Sequence, residues 1–217
     1  MKQQIFLLML SASLAFTSCT KNDDPKPEES NTVEIGGTTY STVKIGSQTW
    51  TTVNYNGASG ANYNNGANDL KYGKLYTWAE AKAITVPTGW RLPSKADFDK
   101  LLVGLGAVQG TSTFLDLDKT NSLKLMSTSG WSFLQGNNQT ALNIYPAGLY
   151  DSVNSGYDSK GTVAEFWSGT AVAESNGMFS WSLGVWQEMD GNVVDLEAGT
   201  DHSRPNDRLS IRFVKDN

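Results

Sequence analysis

The 217-residue chain has 17 Lys and Arg against 22 Asp and Glu, which gives a net charge of -5. This acidic balance, with no cluster of basic residues, argues against nucleic acid as a partner, because a phosphate backbone binds to a basic stripe. One Cys and one His exclude an internal disulfide and argue against a zinc site, which as a rule needs three or four nitrogen or sulfur ligands.

The first 18 residues have the layout of a secretory signal peptide. Lys2 precedes an apolar run over residues 5–16, and small residues follow it. The run is too short to cross a bilayer, which takes about 20 apolar residues. Residues 16–19, Phe-Thr-Ser-Cys, resemble the lipobox of bacterial lipoproteins, whose cysteine is acylated and starts the mature chain. We therefore expect Cys19 to be a lipid anchor; the alternative is an ordinary signal peptide with an incidental cysteine.

Residues 19–31 are predicted to form a disordered tether, because prolines and charges interrupt them and little apolar surface is present. Acidic residues so soon after the cysteine resemble the export signal of surface lipoproteins in the Bacteroidota. That resemblance implies an outer-membrane protein exposed at the cell surface, with the membrane as its partner through the lipid. The alternative is a solvated spacer without an address.

The domain that follows, residues 32–217, is predicted to start with a meander of short strands. Three β-rich runs over residues 33–53 are separated by the pairs Gly36-Gly37 and Gly46-Ser47. Residues 54–69 are rich in Asn, Gly and Ala and show no apolar period. They are therefore predicted to form a long loop.

Two helices are predicted next. Thr77 and Glu80 have the spacing of a capping box, in which each side chain bonds the backbone amide of the other residue. Ser94 and Asp97 repeat this arrangement less perfectly, and apolar residues then recur at helical intervals on one face: Phe98, Leu101, Leu102 and Leu105. Arg91, an always-charged residue in an apolar run, is suited to hold an acid or loop carbonyls.

From Trp131 onward the sequence predicts short strands with glycine-rich turns, ending in an alternating strand over residues 209–214. Strands, two helices and then strands again indicate an α+β domain.

Six ordered blocks resemble the motifs of the Fibrobacter succinogenes major paralogous domain. They are IGSQTW at 45–50, GKLYTW at 73–78, PTGWRLPS at 87–94, YPAG at 145–148, FWS at 166–168 and IRFVKD at 211–216. The resemblance implies a variant of the C-type-lectin-like fold, in which the ends of the domain pair and two helices flank a twisted, mainly antiparallel sheet below a long-loop region. It also implies a secreted or surface protein, often lipid-anchored, with no activity securely attached. Phe213 stands where the family usually has cysteine, and it can fill a core position.

No catalytic residue is predicted. Any Ser-His-Asp relay would have to use His202, which lies in a predicted polar turn, and the Gly-x-Ser-x-Gly motif is missing. We therefore expect neither enzymatic activity nor, apart from calcium, a cofactor.

Calcium has two candidate sites, because hard oxygen ligands gather in two predicted turns. One is residues 116–120, which lack the glycine and the distal glutamate of an EF-hand loop. The other begins at Glu188 and includes Asp190, Asp195 and Glu197. Turns prefer Asp, Asn and Gly in any case, so a solvated hairpin is the alternative for both.

The predicted function is binding or adhesion at the cell surface, to a glycan or a surface protein. The alternative is a structural or assembly role in the envelope without a small ligand. An aromatic ring beside hydrogen-bonding groups forms the best candidate site: Trp186, Gln187, Glu188 and Asn192. Strand alternation puts Trp181 and Leu183 on one face and Trp186 on the other. If Trp181 packs inward, Trp186 points to solvent, unless a sheet covered on both faces buries both.

Overall fold

The computed structural model of the protein describes residues 31–109, 115–171, 178–187 and 194–217. The side chains of residues 108–109, 116, 185–187 and 194–202 lie outside this description. Within it, Asn31–Asn217 forms one compact unit.

Short helices and antiparallel strands make up this unit. The helices are α1 (Trp78–Ala83), α2 (Lys95–Gly104) and α3 (Lys119–Leu125), and a 3-10 turn lies at Tyr63–Asn65. The strands are β1 (Thr32–Ile35), β2 (Thr38–Ile45), β3 (Gln48–Thr51), β4 (Val108–Gln109), β5 (Leu115–Asp116), β6 (Leu149–Asp151), β7 (Gly156–Asp158), β8 (Val163–Ala171), β9 (Met178–Gln187), β10 (Val194–Ser203) and β11 (Val214–Asp216). Each pair of neighbouring strands runs antiparallel, and the predicted α+β class is confirmed.

The first sheet, in the order β1-β2-β3-β11, joins the start of the domain to its end. Its two turns use glycine because the backbone there has a positive φ, 59° at both Gly36 and Gly46. Trp50 of β3 lies opposite Val43 of β2 on one side and Val214 of β11 on the other. The predicted meander is therefore confirmed, and β11 is added at its edge.

The second sheet has the order β4-β5-β10-β9-β8, and a separate hairpin pairs β6 with β7. The short strands predicted from Trp131 onward are confirmed for β6, β7 and β11, which have three residues each, but the prediction is wrong for β8, β9 and β10, which have nine, ten and ten. Gly184 and Gly199 lie inside β9 and β10 and do not end them. The predicted polar turn at His202 is also wrong, since its backbone lies in β10 opposite Phe179.

Both predicted capping boxes are present. The Glu80 amide donates to Thr77 Oγ1, and the Thr77 amide donates to the Glu80 carboxylate at 2.8 Å. Ser94 and Asp97 cap α2 in the same way. The prediction of only two helices is wrong, because α3 has too few apolar residues to show a period in the sequence.

Helix α3 replaces one of the candidate calcium turns. Asp118 caps the N-terminus of this helix. The Asp118 carboxylate accepts from the backbone amide of Asn121 at 3.0 Å and from the side-chain amide of Asn121 at 2.6 Å. The backbone and side-chain hydrogen bonds from Asn121 lower the pKa of Asp118. Asp118 is therefore a helix cap and not a ligand in a turn.

Aromatic side chains fill the core. Phe98 stacks on Trp181 with ring centroids 5.7 Å apart and an interplanar angle of 7°, and Trp50 lies 5.3 Å from the same Phe98 ring. Trp181 and Leu183 are both buried, so the face of β9 that carries them points inward, which is the condition stated for an exposed Trp186. A second cluster contains the predicted core residue Phe213 together with three buried tyrosines: Tyr40, Tyr55 and Tyr76.

Residues 209–214, which we call the closing segment, are predicted to alternate between core and solvent. This is wrong, because all six residues are buried. Carbonyls of the segment accept from the amides of Thr51, Tyr55 and Tyr76, while Ser210 exchanges backbone hydrogen bonds with β8. The segment therefore runs between the first sheet and β8 and is covered on both sides.

Arg212 is the charged residue of the closing segment, and it is buried. Its Nε donates to Asn54 Oδ1 at 2.6 Å, and its terminal nitrogens donate to the carbonyls of Thr51, Leu142 and Asn143 at 2.7, 3.0 and 3.1 Å. These partners are neutral, and burial lowers the pKa of Arg212 to about 9. One guanidinium thus joins the closing segment to two distant parts of the chain.

Arg91 holds acids, as predicted. It donates from Nε to Asp97 Oδ2 at 3.1 Å and pairs through Nη2 with Asp216 Oδ2 of β11 at 2.9 Å. Asp97 also accepts from Gln48 Nε2 at 2.9 Å and from the Ser94 amide at 2.8 Å. Burial alone would raise the pKa of Asp97, but the hydrogen bonds from Arg91 and Ser94, with the charge of Arg91, outweigh burial and lower it. Helix α2 is thereby fixed to β3 and β11.

We predict that Arg212→Met lowers the free energy of unfolding by about 3 kcal/mol or more, because several buried oxygens lose their donor and each such loss costs about 1 to 3 kcal/mol. Urea unfolding followed by tryptophan fluorescence measures the change. Arg204→Met, at an exposed position, is the matched control and should change stability by less than about 0.5 kcal/mol. Equal effects of the two substitutions would contradict the role of Arg212.

We predict that Asp97→Asn weakens the dependence of stability on acid. A carboxylate whose pKa is lowered by folding stabilises the protein above its unfolded pKa of about 3.9, and this stabilisation is lost as the pH falls through the folded pKa. Asp97→Asn should therefore be less stable than the wild type at neutral pH and lose less stability below about pH 4. Unfolding curves across pH test this, with exposed Glu34→Gln as control. Parallel profiles for wild type and Asp97→Asn would refute it.

Candidate binding surface

The predicted ligand site at the end of β9 is only partly within the described residues. Trp186 and Gln187 close β9, and their backbones lie opposite Asp195 and Val194 of β10. Their side chains, and all of Glu188 and Asn192, lie outside the description. A ligand site at Trp186 therefore stays a prediction.

The remaining calcium candidates stay predictions too. Asp190 lies outside the described residues, whereas the backbones of Asp195 and Glu197 lie within β10 and not in a turn. Across the described part of the chain, no group of three His, Cys, Asp or Glu side chains is arranged to hold a metal ion.

The lipid anchor is likewise untested, because Cys19 and the residues around it precede the described part. Over residues 31–217, as far as they are described, none of the helices has the length and hydrophobicity to cross a membrane.

A cluster of aromatic and basic side chains that the sequence does not predict lies where the long loop meets the β6–β7 hairpin. Its tyrosines are all half-exposed, and its two lysines lie over the rings. We call this cluster the tyrosine–lysine face; its members are Tyr63, Lys71, Tyr72, Tyr145, Tyr150, Tyr157 and Lys160.

The rings of the tyrosine–lysine face form two groups, and the rings within each group contact one another. Tyr157 lies between Tyr150 and Tyr63, with centroid distances of 5.0 and 5.3 Å, and its hydroxyl is 3.3 Å from Asn65 Oδ1. The other group pairs Tyr72 with Tyr145, edge to face, at 5.8 Å. Such tilted and edge-on contacts are the favoured geometry for aromatic pairs and hold the rings in place.

Lys160 connects the two groups, and Lys71 lies over the rings of the second group. Lys160 Nζ lies 4.4 Å from the ring centroid of Tyr72 and 5.3 Å from that of Tyr63. Lys71 Nζ lies 4.8 Å from the centroid of Tyr145 and 5.5 Å from that of Tyr72. All four distances are within the range of cation–π attraction, so each ammonium group is held at the surface by ring faces.

Neither lysine forms an ion pair with any carboxylate of the described residues. Lys71 Nζ donates only a long hydrogen bond, 3.3 Å, to Ser129 Oγ. Other basic side chains of the described part are paired with acids: Arg91, Lys95, Lys100 and Arg208. Among the described residues, the tyrosine–lysine face therefore carries two ammonium groups that are not ion-paired, although the Asp69 carboxylate accepts from the backbone amide of Lys71 at 3.1 Å.

Close backbone packing fixes the position of the face. Gly148, the last residue of the YPAG block, has a φ of 70°, and a Cβ there would lie 2.4 Å from the Asp158 carbonyl and 2.8 Å from the Tyr63 ring. Its amide donates to the Val163 carbonyl at 2.8 Å. Only glycine allows the Tyr145 segment to lie this close to the hairpin and the 3-10 turn.

Exposed apolar side chains lie in the segments that build this face. Leu70 precedes Lys71, Val153 lies between β6 and β7, and Phe133 follows Ser132, whose amide donates to the Gly161 carbonyl. Leu70 is 71 % exposed and Val153 is 63 % exposed. Exposed apolar groups next to aromatic and charged ones are typical of a binding surface and its rim.

Two grooves formed by described residues differ in chemistry from the tyrosine–lysine face. One, of about 490 Å³, lies between α1 and the β1–β2 turn and includes Glu80 in its wall. That carboxylate already accepts from Arg208 Nη1 at 2.8 Å and from Thr77. A second groove, of about 320 Å³, surrounds Trp90 and includes the polar residues Lys82, Arg91 and Ser94. The Ser94 hydroxyl in the second groove donates to Asp97 at 2.8 Å, and that carboxylate already caps α2 and accepts from Arg91.

The fold and this surface define an α+β domain of mainly antiparallel strands that presents aromatic and basic groups on loops. A sequence model of the Fibrobacter succinogenes major domain matches residues 43–215, so the chain belongs to that family, as the six blocks predict. The match includes every residue of the tyrosine–lysine face. No curated protein and no solved structure matches the chain.

Proposed function

We propose that this chain is a lipid-anchored cell-surface protein whose domain binds an extracellular glycan or protein without chemical catalysis. The tyrosine–lysine face carries this proposal. Tyrosine supplies a large, rigid contact area at low entropic cost and a hydroxyl for hydrogen bonds, which is why binding surfaces are enriched in it. Five tyrosines on one surface exceed what core packing requires.

The domain is proposed to be a variant of the C-type-lectin-like fold. Three features support this: β11 pairs with β3, helices α1 and α2 lie between the two sheets in the sequence, and a long loop precedes α1. In such a fold the loops carry the ligand site, which agrees with the location of Tyr63 in that loop and of Tyr72 just after it.

A structural role in the cell envelope is the second candidate. The exposed Leu70, Phe133 and Val153 favour it, because apolar groups at the rim of a surface fit a protein partner. In both cases the same face makes the contact, and the outer membrane is the proposed location.

We predict that Cys19→Ala releases the protein from membranes. The cysteine follows the apolar run 5–16 after two small residues, Thr17 and Ser18, as in the lipobox of bacterial lipoproteins. Labelling cells with a clickable fatty acid should mark the wild type only, and fractionation should move the variant to the soluble fraction. Equal labelling of both forms would exclude Cys19 as the acylated residue.

We predict that Tyr63→Ala combined with Tyr157→Ala abolishes ligand binding, because the pair forms the centre of one ring group. The purified full chain is screened on a glycan array and on a panel of envelope and matrix proteins. For each ligand found, the variant should bind at least about tenfold more weakly, as expected when two central aromatic contacts are lost.

Trp90→Ala is the control for this experiment, since it removes a half-buried aromatic ring outside the face. It should leave binding unchanged while thermal unfolding confirms that both variants are folded. If all binding survives the tyrosine substitutions, or if no ligand of either class is bound by the wild type, the proposed function is wrong.

A further inference from the structure

The two ammonium groups of the tyrosine–lysine face are close to one another. Lys71 Nζ and Lys160 Nζ lie 5.5 and 4.4 Å from the centroid of the same Tyr72 ring, so their separation is at most the sum of these distances. In an acidic chain, two such neighbouring cations without an acidic partner among the described residues form a local positive site. A positive site on an acidic protein selects for ligands with negative groups at matching positions.

The hydrogen-bonding capacity of these ammonium groups is mostly unused. Each has three N–H donors, and among the described residues Lys71 uses one on Ser129 while Lys160 contacts only ring faces. A ring face attracts the cation, but it does not accept conventional hydrogen bonds from the three N–H groups. The remaining donors point to an anion with several acceptor oxygens, such as a carboxylate.

The surroundings of the lysines are rich in hydroxyl and amide groups. Tyr150 and Tyr157 present phenolic hydroxyls, and Asn64 and Asn65 are exposed beside Tyr63. Such groups hydrogen-bond a ligand that itself carries many hydroxyls, whereas a peptide offers few. Two cations are also too few for a nucleic acid, which requires a longer basic stripe.

We infer that the tyrosine–lysine face binds an acidic polysaccharide, with Lys71 and Lys160 holding carboxylate groups of its sugars and the tyrosines contacting the sugar hydroxyls. This inference rests on the proposed binding function and adds the chemical class of the ligand. The two lysines attract the carboxylates of acidic sugars and so favour acidic over neutral sugars. The tyrosines provide contact area for both kinds of sugar.

The test compares two forms of one polymer. Purified full chain is passed over immobilised polygalacturonate and over the same polymer with its carboxylates methyl-esterified, with EDTA present so that calcium bridging does not contribute. The wild type should bind the acid form at least about tenfold more tightly, and roughly 0.5 M NaCl should remove most of the difference, because salt screens exposed charges.

Lys71→Gln and Lys160→Gln test the residues. Each should weaken binding to polygalacturonate by about fivefold or more, and the double variant should bind acid and ester forms equally. Lys44→Gln, an exposed lysine on β2, makes the same change in net charge away from the face and should bind as the wild type does. Thermal unfolding checks that all variants are folded.

Three outcomes would overturn the inference: equal binding of acid and ester forms, equal loss in Lys44→Gln, or tighter binding to polyglutamate, which would indicate an acidic protein partner. Failure here is distinct from failure of the proposed function. If polygalacturonate is not bound but another ligand is lost in the Tyr63→Ala, Tyr157→Ala variant, the face is a binding site for a different class. If that variant loses nothing, the binding function itself fails.

Discussion

The buried hydrogen bonds of Arg212 are the constraint on which the rest of the domain depends. A guanidinium without an acid partner remains inside a protein only when oxygen atoms surround it, and here Asn54, Thr51, Leu142 and Asn143 supply them. These oxygens come from β3, the long loop and the segment before Tyr145. The charge therefore requires three separate parts of the chain to meet, whatever the apolar residues around it contribute.

The same constraint positions the candidate binding surface. Asn143 is held two residues before Tyr145, and the backbone of Arg208, just before the closing segment, exchanges two hydrogen bonds of 3.0 Å with Tyr150. The long loop that carries Tyr63 is fixed at its beginning through Asn54, whose side-chain amide also donates to the Tyr72 carbonyl at 2.8 Å. A rigid core thus determines where loop tyrosines lie, which is the usual way a scaffold presents a binding surface.

Local features of the fold are predictable from the sequence. The capping boxes at Thr77 and Ser94 depend on residues three positions apart, and the turn at Gly36 depends on adjacent residues, so spacing alone identifies them. Burial of Arg212 is not predictable in this way, because alternation assigns its side chain to solvent unless a second layer covers the strand. The tyrosine–lysine face is hidden for a related reason: Tyr63 and Tyr157 meet only through tertiary structure. The one usable signal is the hairpin pairing of Tyr150 with Tyr157 across a polar turn.

The closing segment also has a kinetic consequence. The Phe213 amide donates to Thr51 Oγ1 across 162 residues of sequence, and Arg212 bonds Asn54 and Thr51 across 158 and 161. A domain of such high contact order folds slowly, because large loops must close before their contacts form. Before residues 209–214 are synthesised, the earlier elements lack the closing segment, which lies between the first sheet and β8. We propose that the chain crosses a membrane as an extended polymer. Slow folding keeps the chain unfolded, and therefore able to be transported, until the closing segment is made.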